Sequence, residues 1–398
     1  MAVVRRVKEK NLVSFVEWVA ALEIIFLTGN SGLRIFQDGG LLTGGPRGAI
    51  VLATFLSLWG LKSDKRFRIP SLGLACLIAG WLLVSDFIGN GISTRAIGSA
   101  AAVIASYLLA SATDFREFRE KLRIVLAWIC AGTIITYVIF MTTGIGAGAT
   151  HGIATQLFVL FRIWGLERPC AVYQEPGQFQ IIIFFVLLLF TDELVRINLS
   201  RMHYYVRKFG IILAALLLAQ SSMGYICLMV YVVLLFTFNK SMKRNFFVYV
   251  FLFTAGIAAA FFLWQSDTVQ GKIDPRNMLI RKSSLAGRVN DTITLYRMSF
   301  ISPVTGLGGR SPDYYRYGNM YGGFPDEDGV NGWLNVAVCY GWPFFFLIVI
   351  SMMLGMRRMK PGIPPPLLFL VLLLSQADET NAIHYMLFLY IFPFNSYD

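Results

Sequence analysis

Two arginines, a tyrosine and a glutamate lie together in a short polar stretch between two long apolar segments. The stretch covers residues 162–179 and contains Arg162, Arg168, Tyr173 and Glu175. Arginine stays charged and binds phosphate through two parallel hydrogen bonds, and a carboxylate can take a proton from a hydroxyl group. These residue types suit an anionic substrate that carries hydroxyl groups. The alternative is an interfacial loop in which the arginine stems lie along apolar surface and Glu175 only caps a helix.

The end of this stretch predicts the start of a helix. Glu175 is followed by Pro176 and Gly177, and then by an apolar run that continues to Phe190. Proline is favoured in the first turn of a helix, and a carboxylate is stabilised at a helix N-terminus. We therefore expect Glu175 at the N-terminal end of a helix that begins at Pro176.

Composition indicates an integral membrane protein. Hydrophobic residues make up 56% of the 398 residues and charged residues only 15%, whereas soluble domains carry about 25% charged residues. Apolar runs of about 20 residues recur, and they are continuous rather than alternating, which predicts helices and not a β-barrel. We expect residues 1–398 to form a single all-α, polytopic transmembrane domain with about 12 transmembrane helices.

The positive charges predict how these helices are oriented. Of the 35 Lys and Arg residues, 22 fall in six segments that the positive-inside rule assigns to the cytoplasmic side. The same rule divides residues 209–238 into two crossings, broken at residues 220–224, and it places both termini inside. The net charge of +12 is therefore mostly an orientation signal, which disfavours nucleic-acid binding. The predicted crossings are residues 12–29, 45–61, 69–88, 94–112, 122–141, 176–190, the two halves of 209–238, 246–264, 332–355, 364–374 and 382–394.

Two external loops, residues 142–175 and residues 265–331, carry the remaining polar motifs. The second loop holds eight Lys and Arg residues against seven acidic residues. Insertion does not explain external arginines, so Arg288 is a candidate phosphate ligand. The alternative is a mixed-charge loop whose surface ion pairs contribute little. Arg288 opens a segment that ends at Pro303 and has apolar residues at helical spacing, namely Val289, Ile293, Tyr296 and Phe300.

A glycine-rich turn follows at residues 303–310. Glycine lets backbone N–H groups approach an anion closely, so this turn is a further candidate anion site. The five cysteines and three histidines show neither a disulfide framework nor metal-ligand spacing. The acidic cluster of residues 326–328 could bind a cation or sugar hydroxyls, or be a solvated loop. We expect no metal and no other cofactor.

Both external motifs resemble the O-antigen polymerase and O-antigen ligase superfamily. In the first loop the resemblance lies in Arg162, Gly165, Tyr173, Glu175, Pro176 and Gly177. In the second it lies in Gly287-Arg288, the amphipathic segment after it and the Pro-x-x-Gly-x-Gly turn at residues 303–308. The Glu-Pro-Gly variant is more similar to Wzy-type polymerases of bacterial O-antigen or capsular polysaccharide than to the ligases. Ligases typically show a His-Asn pair after the large loop, whereas this chain has Asp328, Asn331 and Asn335 and no histidine there.

This resemblance implies a helical bundle of the C-type glycosyltransferase kind in the bacterial inner membrane, with its active site facing the periplasm. It implies transfer of a growing glycan from undecaprenyl pyrophosphate to the next lipid-linked repeat unit. Arg288, Arg162 and Arg168 would stabilise the leaving pyrophosphate without a metal, and Glu175 would be the general base. The expected partners are the lipid-linked oligosaccharide and membrane lipid, with a chain-length regulator protein as a further candidate. Substrate contacts are expected from Arg297, Arg310, Tyr173, Asn331 and Asp328.

Two other functions stay open at this point. A ligase would transfer finished glycan to lipid A–core. A flippase for lipid-linked oligosaccharides also has about 12 spans, but it needs cations inside the membrane-spanning cavity and no long external loop. The predicted spans are poor in Lys and Arg and the loop of residues 265–331 is long, which favours an enzyme.

Overall fold

The computed structural model is mostly helical. Helices account for 84% of the residues that it describes, which agrees with the all-α prediction. The described residues are 15–22, 24–25, 53–54, 56, 59–60, 68–91, 94–144, 159–163, 166–172, 176–197, 199–219, 222–238, 285–309, 311–322, 332–359 and 390–394. In chain order the helices are α1 Ile69–Asn90, α2 Thr94–Ala112, α3 Phe115–Thr143, α4 Pro176–Leu189, α5 Thr191–Leu194, α6 Met202–Leu218, α7 Ser222–Phe238, α8 Leu285–Met298, α9 Pro312–Met320, α10 Gly332–Tyr340 and α11 Trp342–Met359.

Two of the described helices are long and apolar enough to cross a membrane. They are α1, with 22 residues, and α3, with 29 residues. Only 33% and 28% of their most apolar windows are buried in the protein, so most of each apolar surface faces outward. A core helix of a water-soluble protein would instead be mostly buried. The predicted crossings at residues 246–264 and 364–374 lie outside the described residues, and those at residues 12–29, 45–61 and 382–394 are described only in part.

Charged side chains gather where α3 and α6 begin and α4 ends. Lys208 in α6 forms ion pairs with Glu120 in α3 and with Glu193 in α5. Arg119 in α3 donates to the carbonyl oxygen of Leu189, the last residue of α4, at 3.0 Å. This region, which also includes Arg123 and Asp192, is called the charged end below. It joins two of the segments that the charge pattern places on the same side of the membrane.

The charged end shifts two pKa values in opposite directions. Burial disfavours the charged form of Glu120, but hydrogen bonds from Lys208 and Arg123 outweigh burial, and the pKa of the carboxyl falls below its ordinary value. Burial likewise opposes the charge on Lys208, but hydrogen bonds to Glu120 and Glu193 prevail and raise the pKa of the amine. Both shifts favour the ionised pair.

Two helices, α6 and α7, divide residues 209–238. Gln180, near the start of α4, donates to the carbonyl oxygen of Leu216, near the end of α6, at 3.1 Å. The Tyr231 hydroxyl of α7 donates to the Leu187 carbonyl oxygen near the end of α4 at 3.0 Å. Helix α6 therefore runs away from the charged end and α7 returns towards it. The predicted break in this run is confirmed, since α6 ends at Leu218 and α7 begins at Ser222.

Helix α4 lies at the centre of the bundle. Every side chain from Phe179 to Phe190 is buried, as expected for a helix that is apolar around its whole circumference. The segment of residues 390–394 connects it to neighbouring helices. The Tyr390 hydroxyl donates to the Phe185 carbonyl oxygen at 2.6 Å, and the Phe394 ring packs on Phe115 at the start of α3.

Candidate functional site

The stretch that contains Arg162 and Arg168 is a β-hairpin rather than a loop. Strands β1 Val159–Ile163 and β2 Leu166–Ala171 pair antiparallel, with Arg162 opposite Glu167. The sequence analysis expected a loop here and missed the strands. A run of mostly β-favouring residues, Val159–Ile163, before a two-residue connection that contains Gly165 is the signal that could have found them.

Arg168 is buried against the helical bundle. Strand β2 packs on α3 and α4, and the Arg168 residue is only 7% exposed. A buried guanidinium is stable only when polar groups surround it, and it is held in a fixed orientation. The hairpin precedes Pro176, where α4 begins as predicted, so it lies at the end of the bundle opposite the charged end. The structure therefore holds a buried cation at the end of the bundle opposite the charged end, where the positive-inside rule does not predict positive charge.

The chain leaves the hairpin through a strained residue. Ala171 has φ 55°, in the left-handed region, and it is fully buried. This conformation costs a residue with a Cβ about 1–2 kcal/mol relative to the right-handed region. Such strain persists only where the surrounding structure imposes it. The bend at Ala171 directs the chain from β2 towards Glu175 and the start of α4.

Gln180 is a candidate that the sequence analysis missed. It lies one turn into α4 and is buried at 1% exposure between α6 and the start of α7. Only one of the two polar atoms of its amide group is hydrogen-bonded: Nε2 donates to the Leu216 carbonyl oxygen, whereas Oε1 has no hydrogen-bond partner in the described part of the chain. Gly224 allows this arrangement, because a Cβ there would overlap the Gln180 amide. A lone glutamine in an apolar run was the available signal.

The helix predicted after Arg288 is present as α8. Arg288 lies in its first turn and Arg297, which is exposed, lies in its last turn. Helix α8 packs mainly on α9 and α10. Those two helices are joined by a buried hydrogen bond, 2.7 Å long, from the Tyr314 hydroxyl to Oδ1 of Asn335. Such a buried, satisfied pair holds the helices next to α8 in one arrangement.

The glycine-rich turn does not present its N–H groups to an anion. Gly306 N–H donates to Ser302 O, Leu307 N–H to Val338 O, and Gly308 N–H to Cys339 O, at 2.8–3.0 Å. The next N–H group, that of Gly309, donates to the Asp86 carboxylate. The prediction of an anion site in this turn is therefore wrong. The glycines serve close packing instead: Gly306 and Gly308 have positive φ and lie against the backbone of neighbouring segments.

The predicted site residues fall into two groups. Strand β2 holds Arg168 against α3 and α4, Arg162 lies on the paired strand β1, and α8 carries Arg288 and Arg297 next to α9 and α10. A meeting of the two groups stays a prediction. The remaining predicted residues, Glu175, Tyr173, Arg310, Asn331 and Asp328, lie outside the described residues, as do the side chains of Arg162 and Arg288.

Within the described part of the chain, no group of three or more His, Cys, Asp or Glu side chains is placed to hold a metal ion. Comparison with known proteins found no matching family model, no matching curated protein and no matching solved structure.

Proposed function

We propose that this chain is a bacterial polysaccharide polymerase. In this proposal it transfers a growing O-antigen, capsule or exopolysaccharide chain from undecaprenyl pyrophosphate to the next lipid-linked repeat unit. It is a multi-pass protein of the inner membrane with about 12 spans, both termini in the cytoplasm and its active site facing the periplasm. A chain-length regulator protein is a further candidate partner.

The buried position of Arg168 carries this proposal. Positive charges at the charged end are explained by membrane insertion, since they lie in segments that the positive-inside rule assigns to the cytoplasm. Arg168 belongs to the opposite end, and it is buried rather than exposed to water. Burying a permanent cation costs free energy unless polar groups or a ligand surround it. A pyrophosphate leaving group is a negatively charged ligand that would form charge-assisted hydrogen bonds with the Arg168 guanidinium.

The proposed reaction uses Arg168 together with Arg162, Arg288 and Glu175. A hydroxyl group of the acceptor sugar attacks the anomeric carbon of the growing glycan, and the bond from that carbon to the pyrophosphate oxygen breaks. The electron pair of that bond stays on the pyrophosphate, where Arg168, Arg162 and Arg288 stabilise the charge. The proton of the acceptor hydroxyl passes to Glu175, which precedes the first residue of α4.

The arrangement of the helices supports the proposed topology. Helices α3, α4, α6 and α7 alternate in direction between the charged end and the opposite end, as successive crossings do. The end of α1 contacts the glycine-rich turn of the loop 265–331, so these two segments lie on the same side. Outward-facing apolar surface on α1 and α3 fits contact with lipid.

A direct assay tests the proposed function. The purified full chain in liposomes receives its lipid-linked repeat unit in the presence of a metal chelator, and products are separated by size. A ladder of glycans is expected, and transfer to lipid A–core without a ladder would indicate the ligase alternative. Movement of the repeat unit across the bilayer with no longer product would indicate a flippase.

Matched arginine variants connect the assay to the site. Losing one transition-state donor costs roughly 10²–10³ in rate. Arg168→Lys should lose activity to this extent, because a single ammonium cannot replace the two-pronged guanidinium. Arg316→Lys is the control, since Arg316 is exposed on α9, where it makes a loose pair with Asp313 at 3.9 Å and lies 5.8 Å from the centre of the Tyr317 ring. Equal activity of both variants at equal expression would remove Arg168 from the mechanism.

A further inference from the structure

Helix α8 is exposed on its apolar side. Val289, Ile293 and Tyr296, together with Phe300 in the turn that follows, are each between 46% and 56% exposed. At about 100° per residue these positions fall within an arc of about 60° on a helical projection. The buried residues lie on the opposite side and include two polar ones; they are Asp291, Thr294, Leu295 and Met298. A helix on a water-exposed loop shows the reverse arrangement.

The exposed apolar side of α8 continues onto α11. The ring centroids of Phe300 and Trp342 are 6.0 Å apart, and those of Trp342 and Phe346 are 5.9 Å apart. From Phe346 the exposed apolar surface continues along α11 through Ile350 and Leu354, one residue per turn. We call this continuous surface, from Val289 to Leu354, the apolar stripe.

The length and flanking charges of α11 identify what covers the apolar stripe. Its 18 residues extend about 27 Å, close to the thickness of the hydrocarbon core of a bilayer. Its last turn carries Arg357 and Arg358, which are exposed as expected for cytoplasmic residues flanking a membrane helix. In the proposed topology α11 is a membrane crossing, so the part of the stripe on α11 is expected to face acyl chains. The α8 part of the apolar stripe is continuous with the α11 part, so the same lipid layer would contact both parts.

The residue types at the junction fit the membrane interface. Tyr296 and Trp342 are aromatic residues with a polar atom, the kind that concentrates at the headgroup level. Arg297 is exposed beside the stripe, and a long basic side chain there can reach lipid phosphate while its stem lies on apolar surface. An amphipathic helix with these features binds in the interfacial region of a bilayer.

We propose that α8 contacts the lipid bilayer directly at the interface opposite the charged end. The occupant of its exposed face is membrane lipid: acyl chains against Val289, Ile293, Tyr296 and Phe300, and headgroup phosphate at Arg297. The turn of residues 302–309 holds α8 in this position, because its N–H groups are bonded to α10 and α1.

One consequence rests on the proposed function. The first turn of α8 carries Arg288, so lipid contact along the helix keeps this turn near the depth of the headgroups. The pyrophosphate of a lipid-linked donor lies at that same depth, because its polyprenyl chain is in the bilayer. Lipid contact would therefore set the height at which Arg288 meets the leaving group.

Spin-label accessibility in vesicles tests the lipid contact without using activity. The full chain carries Cys76→Ser, which removes the one exposed cysteine and leaves the four buried ones in place. A nitroxide is attached at Ile293→Cys, or at Val289→Cys as a second position should the first variant fold poorly. Arg316→Cys on α9 is the matched control, because that exposed position is polar. The protein is reconstituted in phosphatidylethanolamine and phosphatidylglycerol vesicles.

The accessibility of the spin label is then measured to two relaxation agents, oxygen, which dissolves in lipid, and a water-soluble nickel chelate. The expected result is an oxygen-to-nickel accessibility ratio several-fold higher at residue 293 than at residue 316. A ratio at residue 293 equal to that at residue 316 would show water at this face and would overturn the proposal. Protection from both agents would show a protein partner or a second copy there and would overturn it equally. A chain inactive in glycan transfer can still give the high ratio, so the two proposals fail separately.

Discussion

The Asp86 carboxylate accepts a hydrogen bond from the Gly309 N–H at 3.1 Å, across 223 residues of sequence. The same oxygen accepts from the Asn90 amide at 2.9 Å, and Asn90 also donates to the Gly309 carbonyl oxygen at 2.7 Å. Two side chains one turn apart on α1 therefore satisfy both backbone groups of Gly309. This attachment fixes the glycine-rich turn, and with it the end of α8, to the helical bundle.

Removing the Asp86 carboxylate should loosen this attachment. Asp86→Ala leaves the buried Gly309 N–H without an acceptor, which costs about 1–3 kcal/mol. Asp86→Asn should cost less, because its amide oxygen can still accept. Thermal unfolding in detergent measures the loss, and limited proteolysis should show faster cleavage in residues 265–331. An unchanged unfolding temperature in Asp86→Ala would show that the attachment does not stabilise the protein.

Two glycines of α1 provide a matched test of close packing. A Cβ at Gly89 would overlap the Leu307 carbonyl oxygen and crowd Gly308, whereas a Cβ at Gly80 meets nothing within 4 Å. Alanine is preferred over glycine inside a helix by about 0.5–1 kcal/mol. Gly80→Ala should therefore be neutral or stabilising, and Gly89→Ala should destabilise. The unfolding temperature should fall in Gly89→Ala and stay the same or rise in Gly80→Ala, and an equal fall in both variants would contradict the packing.

The ion pairs of the charged end predict how stability depends on pH. The pKa of Glu120 is lowered in the folded state, so its contribution is present above its ordinary pKa of 4.5 and is lost as pH falls through the lowered value. The pKa of Lys208 is raised, so its contribution is complete below its ordinary value of 10.5 and is lost as pH rises through the raised value. Stability from this pair should therefore be flat between about pH 4.5 and 10.5.

Unfolding temperatures measured across pH check this dependence. Lys208→Met should flatten the alkaline arm of the curve and reduce the acid arm, since it removes the amine and one of the two partners, Lys208 and Arg123, that lower the Glu120 pKa. The neighbouring residue Arg207 is exposed, and Arg207→Met is the control that should keep the wild-type curve. Identical curves for the two variants would show that the pair has no role in the pH response.

The sequence predicted helices well, because apolar periodicity and proline position act locally. The start of α4 at Pro176, the break after Leu218 and the helix beginning near Arg288 are all found. Periodicity does not reveal what an apolar face contacts, so it could not show that Val289 and Ile293 of α8 face outward. That depends on how α8 packs against the rest of the bundle.

Backbone hydrogen bonds between segments far apart in the chain could not be predicted from the sequence. Three N–H groups of the glycine-rich turn, those of Leu307, Gly308 and Gly309, find their acceptors at Val338, Cys339 and Asp86, none of which is near the turn in sequence. Glycines that pack against protein and glycines that approach an anion look alike in one sequence, because both need the absence of a Cβ. The hairpin was missed for a related reason, since its strands are short and Arg162 and Arg168 interrupt their apolar pattern.

Substitutions of Glu175, the residue before α4, distinguish a catalytic role from a structural one. As a general base it would contribute roughly 10²–10⁴ in rate, and as a helix cap about 1 kcal/mol of stability. Glu175→Gln cannot take a proton, so a base predicts loss of glycan transfer with stability close to the wild type. A cap instead predicts mild destabilisation in Glu175→Gln with normal turnover per folded molecule, and a nearly silent Glu175→Asp.

Measuring glycan ladders and unfolding temperature on the same preparations of both variants distinguishes these roles. We expect Glu175→Gln to be inactive. Glu175→Asp should keep partial activity, because its carboxylate is withdrawn by about one bond length but retains its charge and capping ability. Normal chain growth in Glu175→Gln would make Glu175 a helix cap. The proton acceptor would then have to be sought among Asp326, Glu327 and Asp328, or the reaction would proceed on arginine stabilisation of the leaving group alone.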